Sequence, residues 1–239
     1  VDNEEVFMSN ANVTSPLNLT GLNVHTNYSV KMRTINGNDT SAWTAEKEFE
    51  TLCMPVDELP YFDDFEGYNA EMLAGCYMIY NSNAYGYKVL SGANYNVTEG
   101  GNQGLGLVNN ATATSSSSSN GTHAILREFE LEAGKNYEVS VMCKFNYSSS
   151  ASLIDFVALG AGEAFDFENI EPFAEMTVDG TTFEKKRGYF TAPADGIYTL
   201  GIVTRPDGTS WYPVILDELE VKEVSCLPAN ITLKSVSDS

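Results

Sequence analysis

The feature that most constrains this chain is an alternation of apolar and polar residues with a period of two. It recurs in separate stretches, among them 29–33, 137–145 and 214–221. Successive side chains of a β-strand point to opposite faces of a sheet, so this pattern is typical of strands with one buried face. Clusters of Gly, Asn, Ser and Asp separate the stretches and favour turns. The sequence therefore predicts an all-β chain, with short helical candidates only at 69–74 and 164–173.

The charge of the chain excludes two classes of partner. Its 239 residues contain 33 Asp and Glu against 13 Lys and Arg, a formal net charge of −20 at pH 7. Nucleic acids and anionic membrane surfaces are bound by clusters of Lys and Arg, and the longest such run here is 185–187. No uninterrupted apolar stretch approaches the roughly 18 residues of a membrane-spanning helix. We expect neither nucleic-acid binding nor membrane insertion.

The N-terminal part of the chain carries a recognisable motif. Residues 19–33 read Leu-Thr-Gly-Leu-Asn-Val-His-Thr-Asn-Tyr-Ser-Val-Lys-Met-Arg, followed by Ser-Ala-Trp at 41–43 and Phe-Glu-Thr at 49–51. This resembles the second half of a fibronectin type III domain, a sandwich in which the tyrosine at the position of Tyr28 bonds to upstream backbone. The first three strands of that family are absent. We therefore expect an incomplete sandwich at 1–55, with uncovered strand edges that favour self-association or packing on the rest of the chain.

The central block, 56–223, has characteristic ends. It opens with Leu-Pro-Tyr-Phe-Asp-Asp-Phe-Glu at 59–66 and closes with Ile-Leu-Asp-Glu-Leu-Glu-Val at 215–221. These ends are similar to those of jelly-roll domains of the cleaved-adhesin, or choice-of-anchor J, type, which are related to MAM domains. The Gly-Trp that usually follows the first strand is replaced here by Gly-Cys-Tyr at 75–77. The resemblance implies a jelly-roll β-sandwich at 56–223, then a linker and the first strand of another fibronectin-like domain at 224–239.

Together these resemblances imply an extracellular module of a larger bacterial surface or secreted protein, of the kind found in Bacteroidetes. The expected role is non-catalytic adhesion, with a glycan or a host or bacterial surface protein as partner. A structural spacer that positions other domains is the alternative. No enzyme is expected, because the chain has only His25 and His123 and lacks the G-x-S-x-G and H-E-x-x-H motifs. A glycosidase that uses a pair of carboxylates is also disfavoured, although no motif identifies such an enzyme and only the distance between the two carboxyl groups does.

One carboxylate in the closing strand needs a partner. Strict alternation puts Ile215, Asp217, Leu219 and Val221 on one face, so Asp217 is expected to point inward, where an unpaired charge is costly. One candidate partner is calcium, with Asp64 and Glu66 as co-ligands at i, i+2 of the opening strand.

Jelly-roll relatives often hold a calcium ion where their first and last strands meet, so the resemblance also implies a structural calcium at these carboxylates. The other candidate partner of Asp217 is Arg127. It lies on the more apolar face of its own strand, and a guanidinium can pair with a carboxylate through two hydrogen bonds. The sequence leaves both candidates open.

Aromatic residues cluster outside the clearest strand patterns. Those predicted to contact a ligand are Tyr85, Tyr87, Trp211 and Tyr212. Carbohydrate-binding sandwiches present such rings on loops, because the C–H face of a sugar packs on a ring while nearby amides bond its hydroxyls. The alternative is that these rings close the end of the sandwich.

The four cysteines match no zinc or thiol-redox spacing. Cys143 shares a strand face with apolar residues and is predicted to lie in the core, where Cys76 is one candidate partner. Cys53 and Cys226 each precede an extended X-Pro step of the kind found between domains. Because the two ends of a jelly roll tend to lie close together, a disulfide between these two is also a candidate.

Overall fold

The computed structural model describes residues 18–23, 26–68, 76–81, 88–107, 123–145, 152–206 and 214–228. Within these ranges the regular secondary structure is all β. The chain divides into two compact units, Val1–Met54 and Pro55–Ser239. Among the described residues there is no helix with the length and apolar character needed to cross a membrane. The fold class expected from the alternation of residues is confirmed.

In its described residues the first unit contains two pairs of antiparallel strands. Strand β1 (Asn27–Val30) pairs with β4 (Lys47–Glu50), and β2 (Ile35–Asn36) pairs with β3 (Asp39–Thr40).

A tyrosine holds the first of these pairs in the way that the fibronectin-like motif predicts. The Tyr28 hydroxyl accepts a hydrogen bond from the backbone N–H of Asn23 at 2.8 Å. Its ring stacks on that of Phe49, with the centroids 5.8 Å apart. The contact to upstream backbone is therefore present, while membership of the fibronectin type III family stays a prediction.

The second unit is a sandwich of two antiparallel sheets. The strands of sheet I are β5 (Tyr61–Asp63), β7 (Lys88–Ser91), β8 (Gln103–Leu107), β10 (Asn136–Phe145), β13 (Glu184–Thr191) and β15 (Val214–Val224). Those of sheet II are β6 (Met78–Asn81), β9 (His123–Leu131), β11 (Ser152–Leu159), β12 (Ala174–Val178) and β14 (Gly196–Pro206).

The order of the strands is that of a jelly roll. Sheet I runs β13-β10-β15-β8-β7, with β5 also paired to β15, and sheet II runs β12-β11-β14-β9-β6. From β8 to β15 the chain changes sheet at every step except between β11 and β12. Most consecutive strands are thus partners across the core rather than neighbours within a sheet.

The core lies between the two sheets and follows the predicted alternation along β10. Tyr137, Val139, Val141, Cys143 and Phe145 all belong to it, and each is at most 2% exposed. The prediction that Cys143 is a core residue is confirmed. Burial raises the pKa of its thiol to about 12.

One sequence prediction about local structure fails. Residues 164–173 form turns between β11 and β12 instead of a helix. The rings of Phe165 and Phe167, which lie in this segment, pack against Leu126 and Val157 on the outer face of sheet II. The apolar residues of this segment suggest a helix in the sequence, but these rings cover the outer face of a sheet. The other helical candidate, 69–74, lies outside the described residues.

Both candidate cysteine pairings are also wrong. Cys53 and Cys76 are disulfide-bonded, whereas Cys143 and Cys226 are free thiols. Neither the Cys76–Cys143 nor the Cys53–Cys226 candidate is compatible with this. Cys143 lies among apolar side chains of the core, so its burial reflects packing rather than a cross-link.

Candidate functional site

One end of the sandwich gathers the strand ends at which the aromatic candidates are attached. In sheet II, Asn81 pairs with His123, which pairs in turn with Thr204. In sheet I, Leu107 pairs with Val214 at the start of the last strand. The chain passes between the sheets from these ends, so we call this the loop end of the sandwich.

Two of the connections made at the loop end carry the predicted ligand-binding residues. Residues 82–87 join β6 to β7 and include Tyr85 and Tyr87, and residues 207–213 join β14 to β15 and include Trp211 and Tyr212. All four aromatic residues lie outside the described residues. The described strands do show that both connections are attached at the same end of the sandwich.

The strand ends at this site are firmly packed. Three polar residues there, His123, Ser152 and Thr204, are at most 2% exposed. The Ser152 hydroxyl donates a hydrogen bond to the carbonyl of Leu153 at 3.0 Å. The connections of the loop end therefore start from a buried, ordered base, which lowers the entropic cost of positioning a binding surface.

The structure changes the predicted position of Asp217. Pairing between β10 and β15 shifts register between Ser140 and Met142, because β15 contains a β-bulge opposite Val141. Glu218 lies in the bulge with a φ of 46°, a conformation that non-glycine residues seldom adopt. The extra residue reverses the order of inward and outward side chains along the strand.

As a result Asp217 does not share a face with Leu219 and Val221, as strict alternation predicted. Those two residues belong to the core, whereas Asp217 pairs with Met142 on the outer side of sheet I. Asp217 is nevertheless 0% exposed, because the segment 92–103 covers it. This segment consists of the residues that join β7 to β8 and of the first residue of β8. Gly104 permits this close cover, since a Cβ at that position would lie 1.9 Å from the carbonyl oxygen of Tyr95.

Backbone N–H groups hold the Asp217 carboxylate. Its Oδ2 accepts a hydrogen bond from Val97 at 2.7 Å and its Oδ1 accepts one from Glu218 at 2.8 Å. Burial nevertheless raises the pKa of Asp217 to about 6, since the hydrogen bonds only partly offset the loss of water. The pKa is thus set mainly by the covering connection.

Glu66 fastens the same connection at its other end. Its Oε1 accepts hydrogen bonds from the backbone N–H groups of Asn102 and Gln103, both at 2.6 Å, and from the side-chain amide of Asn96 at 2.9 Å. Glu66 and Asp217 therefore both anchor residues 92–103 to sheet I. The sequence predicted that these two acids are important, but as ligands of a calcium ion.

The prediction that Asp64 and Glu66 lie on one strand face is wrong. Strand β5 ends at Asp63, and Phe65 has a φ of 54°, so the chain turns away between the two acids. Within the described ranges no group of three or more His, Cys, Asp or Glu side chains is arranged to hold a metal ion. A calcium ion at Asp64, Glu66 and Asp217 stays a prediction.

The alternative pairing of Asp217 with Arg127 is wrong. Arg127 does lie on the inner face of β9, as predicted, and is 9% exposed, but Asp217 is on the outer side of the opposite sheet. The guanidinium donates instead to the carbonyl of Cys76 at 3.1 Å. The guanidinium charge also opposes, to a small extent, a rise in the pKa of Tyr61 and Tyr68. Its charge therefore lies near a second cluster, which contains a carboxylate.

That cluster centres on Asp63, which the sequence analysis missed. Its Oδ2 accepts hydrogen bonds from the hydroxyls of Tyr68 at 2.6 Å, Tyr77 at 2.7 Å and Tyr61 at 3.2 Å. Its Oδ1 accepts the backbone N–H of Phe65 at 2.7 Å. Burial, reinforced by the nearby carboxylate, raises the pKa of Tyr61 to about 12 and those of Tyr68 and Tyr77 well above their ordinary value. The three hydroxyls remain donors at any physiological pH.

Comparisons by sequence give no relatives for this chain. No protein-family model matches it, and no curated protein does.

Comparison by structure finds many similar solved structures. They include the carbohydrate-binding module TmCBM61 in complex with β-1,4-galactotriose, at 10% identity and a TM-score of 0.45, which covers 62% of this chain and 89% of that one. The xylan-binding domain CBM22-1 of Paenibacillus barcinonensis Xyn10C has 12% identity and a TM-score of 0.46, with coverage of 73% and 100%. The cleaved adhesin domain of Lys-gingipain from Porphyromonas gingivalis has 12% identity and a TM-score of 0.46, with coverage of 69% and 98%.

Proposed function

We propose that this protein is a non-catalytic glycan-binding module of a larger extracellular bacterial protein, and that the glycan binds at the loop end. The observation that carries the proposal is the shared attachment of residues 82–87 and 207–213 at that end. The first of these two short connections contains two Tyr, and the second contains one Trp and one Tyr. Asn, Ser and Thr residues lie beside them. Rings flanked by amides and hydroxyls are the chemistry that recognises a neutral sugar.

Binding at this end agrees with the packing of the strands below it. A sugar offers many hydroxyls but little apolar surface, so affinity depends on holding the binding groups in place before the ligand arrives. The buried strand ends at His123, Ser152 and Thr204 provide such a base. Connections supported by a rigid sandwich are a common arrangement for binding sites.

A glycan microarray probed with the full chain tests this proposal. We expect binding to at least one glycan class, lost in Trp211→Ala and weakened in Tyr85→Ala. The matched control is Trp43→Ala, which removes an exposed tryptophan from the other compact unit. Equal binding by all three variants would locate the site elsewhere.

An array without any hit would contradict the proposal and favour the spacer function. The variants must first be shown to melt like the wild-type chain, so that a loss of binding reports on the site and not on unfolding. Pull-down of a protein partner by Trp211→Ala as well as by the wild type would point to an interaction surface away from the loop end.

A further inference from the structure

The outer face of sheet I carries a row of side chains that crosses four strands. Glu220 pairs with Phe62 on one side and with Ser140 on the other, and Ser140 pairs with Arg187. Neighbouring strands lie about 4.8 Å apart, so the row is about 14 Å long. Lys222 and Lys185, on the adjacent positions of β15 and β13, border it. We call these six residues the cationic row.

Within the row the acids lie beneath the bases. The side chain of Glu138, next to the row on β10, is 7% exposed and that of Glu220 is 21% exposed, against 34% for Lys185 and Lys222 and 48% for Arg187. The carboxylates therefore serve as counterions below the surface. A ligand therefore meets mainly the ammonium and guanidinium groups, with the less exposed Glu220 carboxylate between them.

The ion pairs fix the positions of these cations. Lys222 Nζ lies 2.9 Å from Glu220 and 3.3 Å from Glu138, Lys185 Nζ lies 3.1 Å from Glu220, and Arg187 Nη1 lies 3.8 Å from Glu138. The longest of these distances belongs to Arg187, which keeps donors available for a further anion. Its planar guanidinium matches a carboxylate better than a single ammonium does.

Both signs of charge persist at neutral pH. The hydrogen bond to Glu220 raises the pKa of Lys222. Burial acts to raise the pKa of Glu220, but hydrogen bonds from Lys222 and Lys185 outweigh it and leave that pKa below its ordinary value. The arrangement is therefore a permanent feature of the surface and not a switch.

An exposed ring completes the row. Phe62 is 53% exposed and pairs directly with Glu220, at the end of the row opposite Arg187. An aromatic face in line with cations suits a chain of sugars that carry carboxylates, since the ring packs on C–H groups while the cations bind the acid groups. A chain with net charge −20 repels polyanions elsewhere, so such a concentration of outward cations marks a specific position.

We propose that the cationic row binds a polysaccharide of uronic acids, lying across the four strands from Phe62 to Arg187. The inference goes beyond the proposed function, because it assigns an acidic glycan class to a second surface of the same module. The cationic row would be a second binding surface besides the loop end, and charge would contribute to recognition there.

Binding of polygalacturonate to the full chain tests the inference, measured by calorimetry at low and at physiological salt. We expect binding that weakens as salt rises. Arg187→Gln should weaken it about tenfold, since a charge-assisted hydrogen bond is lost. The matched control is Lys47→Gln, which removes one positive charge from an exposed position of the other unit and should bind like the wild type.

Two further ligands separate the explanations. Fully methyl-esterified polygalacturonate keeps the sugar backbone but masks the carboxylates, so we expect it to bind weakly or not at all. Poly-L-glutamate carries carboxylates without sugar rings, and binding as tight as that of polygalacturonate would overturn the inference in favour of an acidic polypeptide. Equal binding of the esterified and free acids, or equal loss in Lys47→Gln, would also overturn it.

The result distinguishes this inference from the proposed function. If neutral glycans bind in a Trp211-dependent manner while polygalacturonate does not bind, the glycan-binding function stands and the acidic ligand class is wrong. If no glycan of either kind binds, both are wrong. Phe62→Ala, which should weaken polygalacturonate binding without changing the melting temperature, tests the aromatic end of the row independently of charge.

Discussion

Asp217 and Leu219 point to opposite sides of sheet I, although they are two residues apart on one strand. The β-bulge at Glu218 is the cause, because it inserts one residue between them out of step with the neighbouring strand. It directs a carboxylate to the outer face, where the connection 92–103 closes over it. The result is a buried acid held by backbone N–H donors, and its protonation should be visible in the stability of the fold.

We expect Asp217 to make the protein more stable as the pH falls from about 7 towards 4. Its pKa is raised to about 6 in the folded state, so the folded chain binds this proton more tightly than the unfolded chain does. Protonation therefore favours the folded state, and the gain is complete below the ordinary pKa of an aspartate. After allowance for solvent screening the effect is on the order of 1 kcal/mol.

Urea unfolding of the wild type and of Asp217→Asn at pH 5.0 and 7.5 measures this effect. The difference in free energy of unfolding between the two proteins should change with pH, because asparagine does not titrate. Asp57→Asn, at an exposed position, is the control and should follow the wild type at both pH values. A difference that is constant with pH would show that Asp217 has no raised pKa.

The sequence predicted much of this strand, but not its most important irregularity. Alternation located β15 and identified Asp217 as a buried acid that needs partners. It assigned the wrong face because Glu218 gives no sign of a bulge: a glycine there would have suggested a positive φ, whereas glutamate fits an ordinary strand. Long-range pairing with β10 sets the register, and that pairing is not written in any local pattern.

The effect of calcium on the melting temperature is a second measurement. The sequence predicts an ion at Asp64, Glu66 and Asp217, but N–H donors already occupy Glu66 Oε1 and both oxygens of Asp217. An ion at these oxygens would have to displace those donors and release the covering connection. We therefore expect the melting temperature to be the same in calcium and in chelator. A calcium-dependent rise that disappears in Glu66→Gln would instead support the metal site.

The tyrosine cluster around Asp63 should contribute strongly to stability. Tyr77→Phe removes one of three hydroxyl donors from a carboxylate that is 9% exposed, and the remaining donors cannot replace it. We expect a loss of about 1–3 kcal/mol in the free energy of unfolding, typical of a weakened buried polar network.

The control is Tyr80→Phe, since Tyr80 is 38% exposed and surface changes of this kind cost less than about 0.5 kcal/mol. Chemical denaturation of both variants gives the comparison. Equal losses in the two would mean that the hydroxyl of Tyr77 is not part of a stabilising network.

This cluster was not predicted because its members are dispersed along the chain. Tyr61 and Asp63 are two apart and share a strand face, a signal that was available. Tyr68 and Tyr77 reach the same carboxylate only after the chain turns at Phe65 and the sheets close. Arg127 illustrates the same limit: its inward direction was predicted from alternation, but its partner depends on how the two sheets face each other.

The two free cysteines should differ sharply in reactivity. Thiol reagents attack the thiolate, and burial in the core raises the pKa of Cys143 to about 12, whereas Cys226 is exposed. With disulfides intact, we expect one thiol per chain to react with a thiol-specific chromogenic reagent at pH 8 in the folded protein, and two in denaturant. Cys226→Ser should abolish the reaction of the folded protein without changing the melting temperature. Reaction of two thiols in the folded wild type would show that the core around Cys143 opens readily, which its complete burial between the sheets argues against.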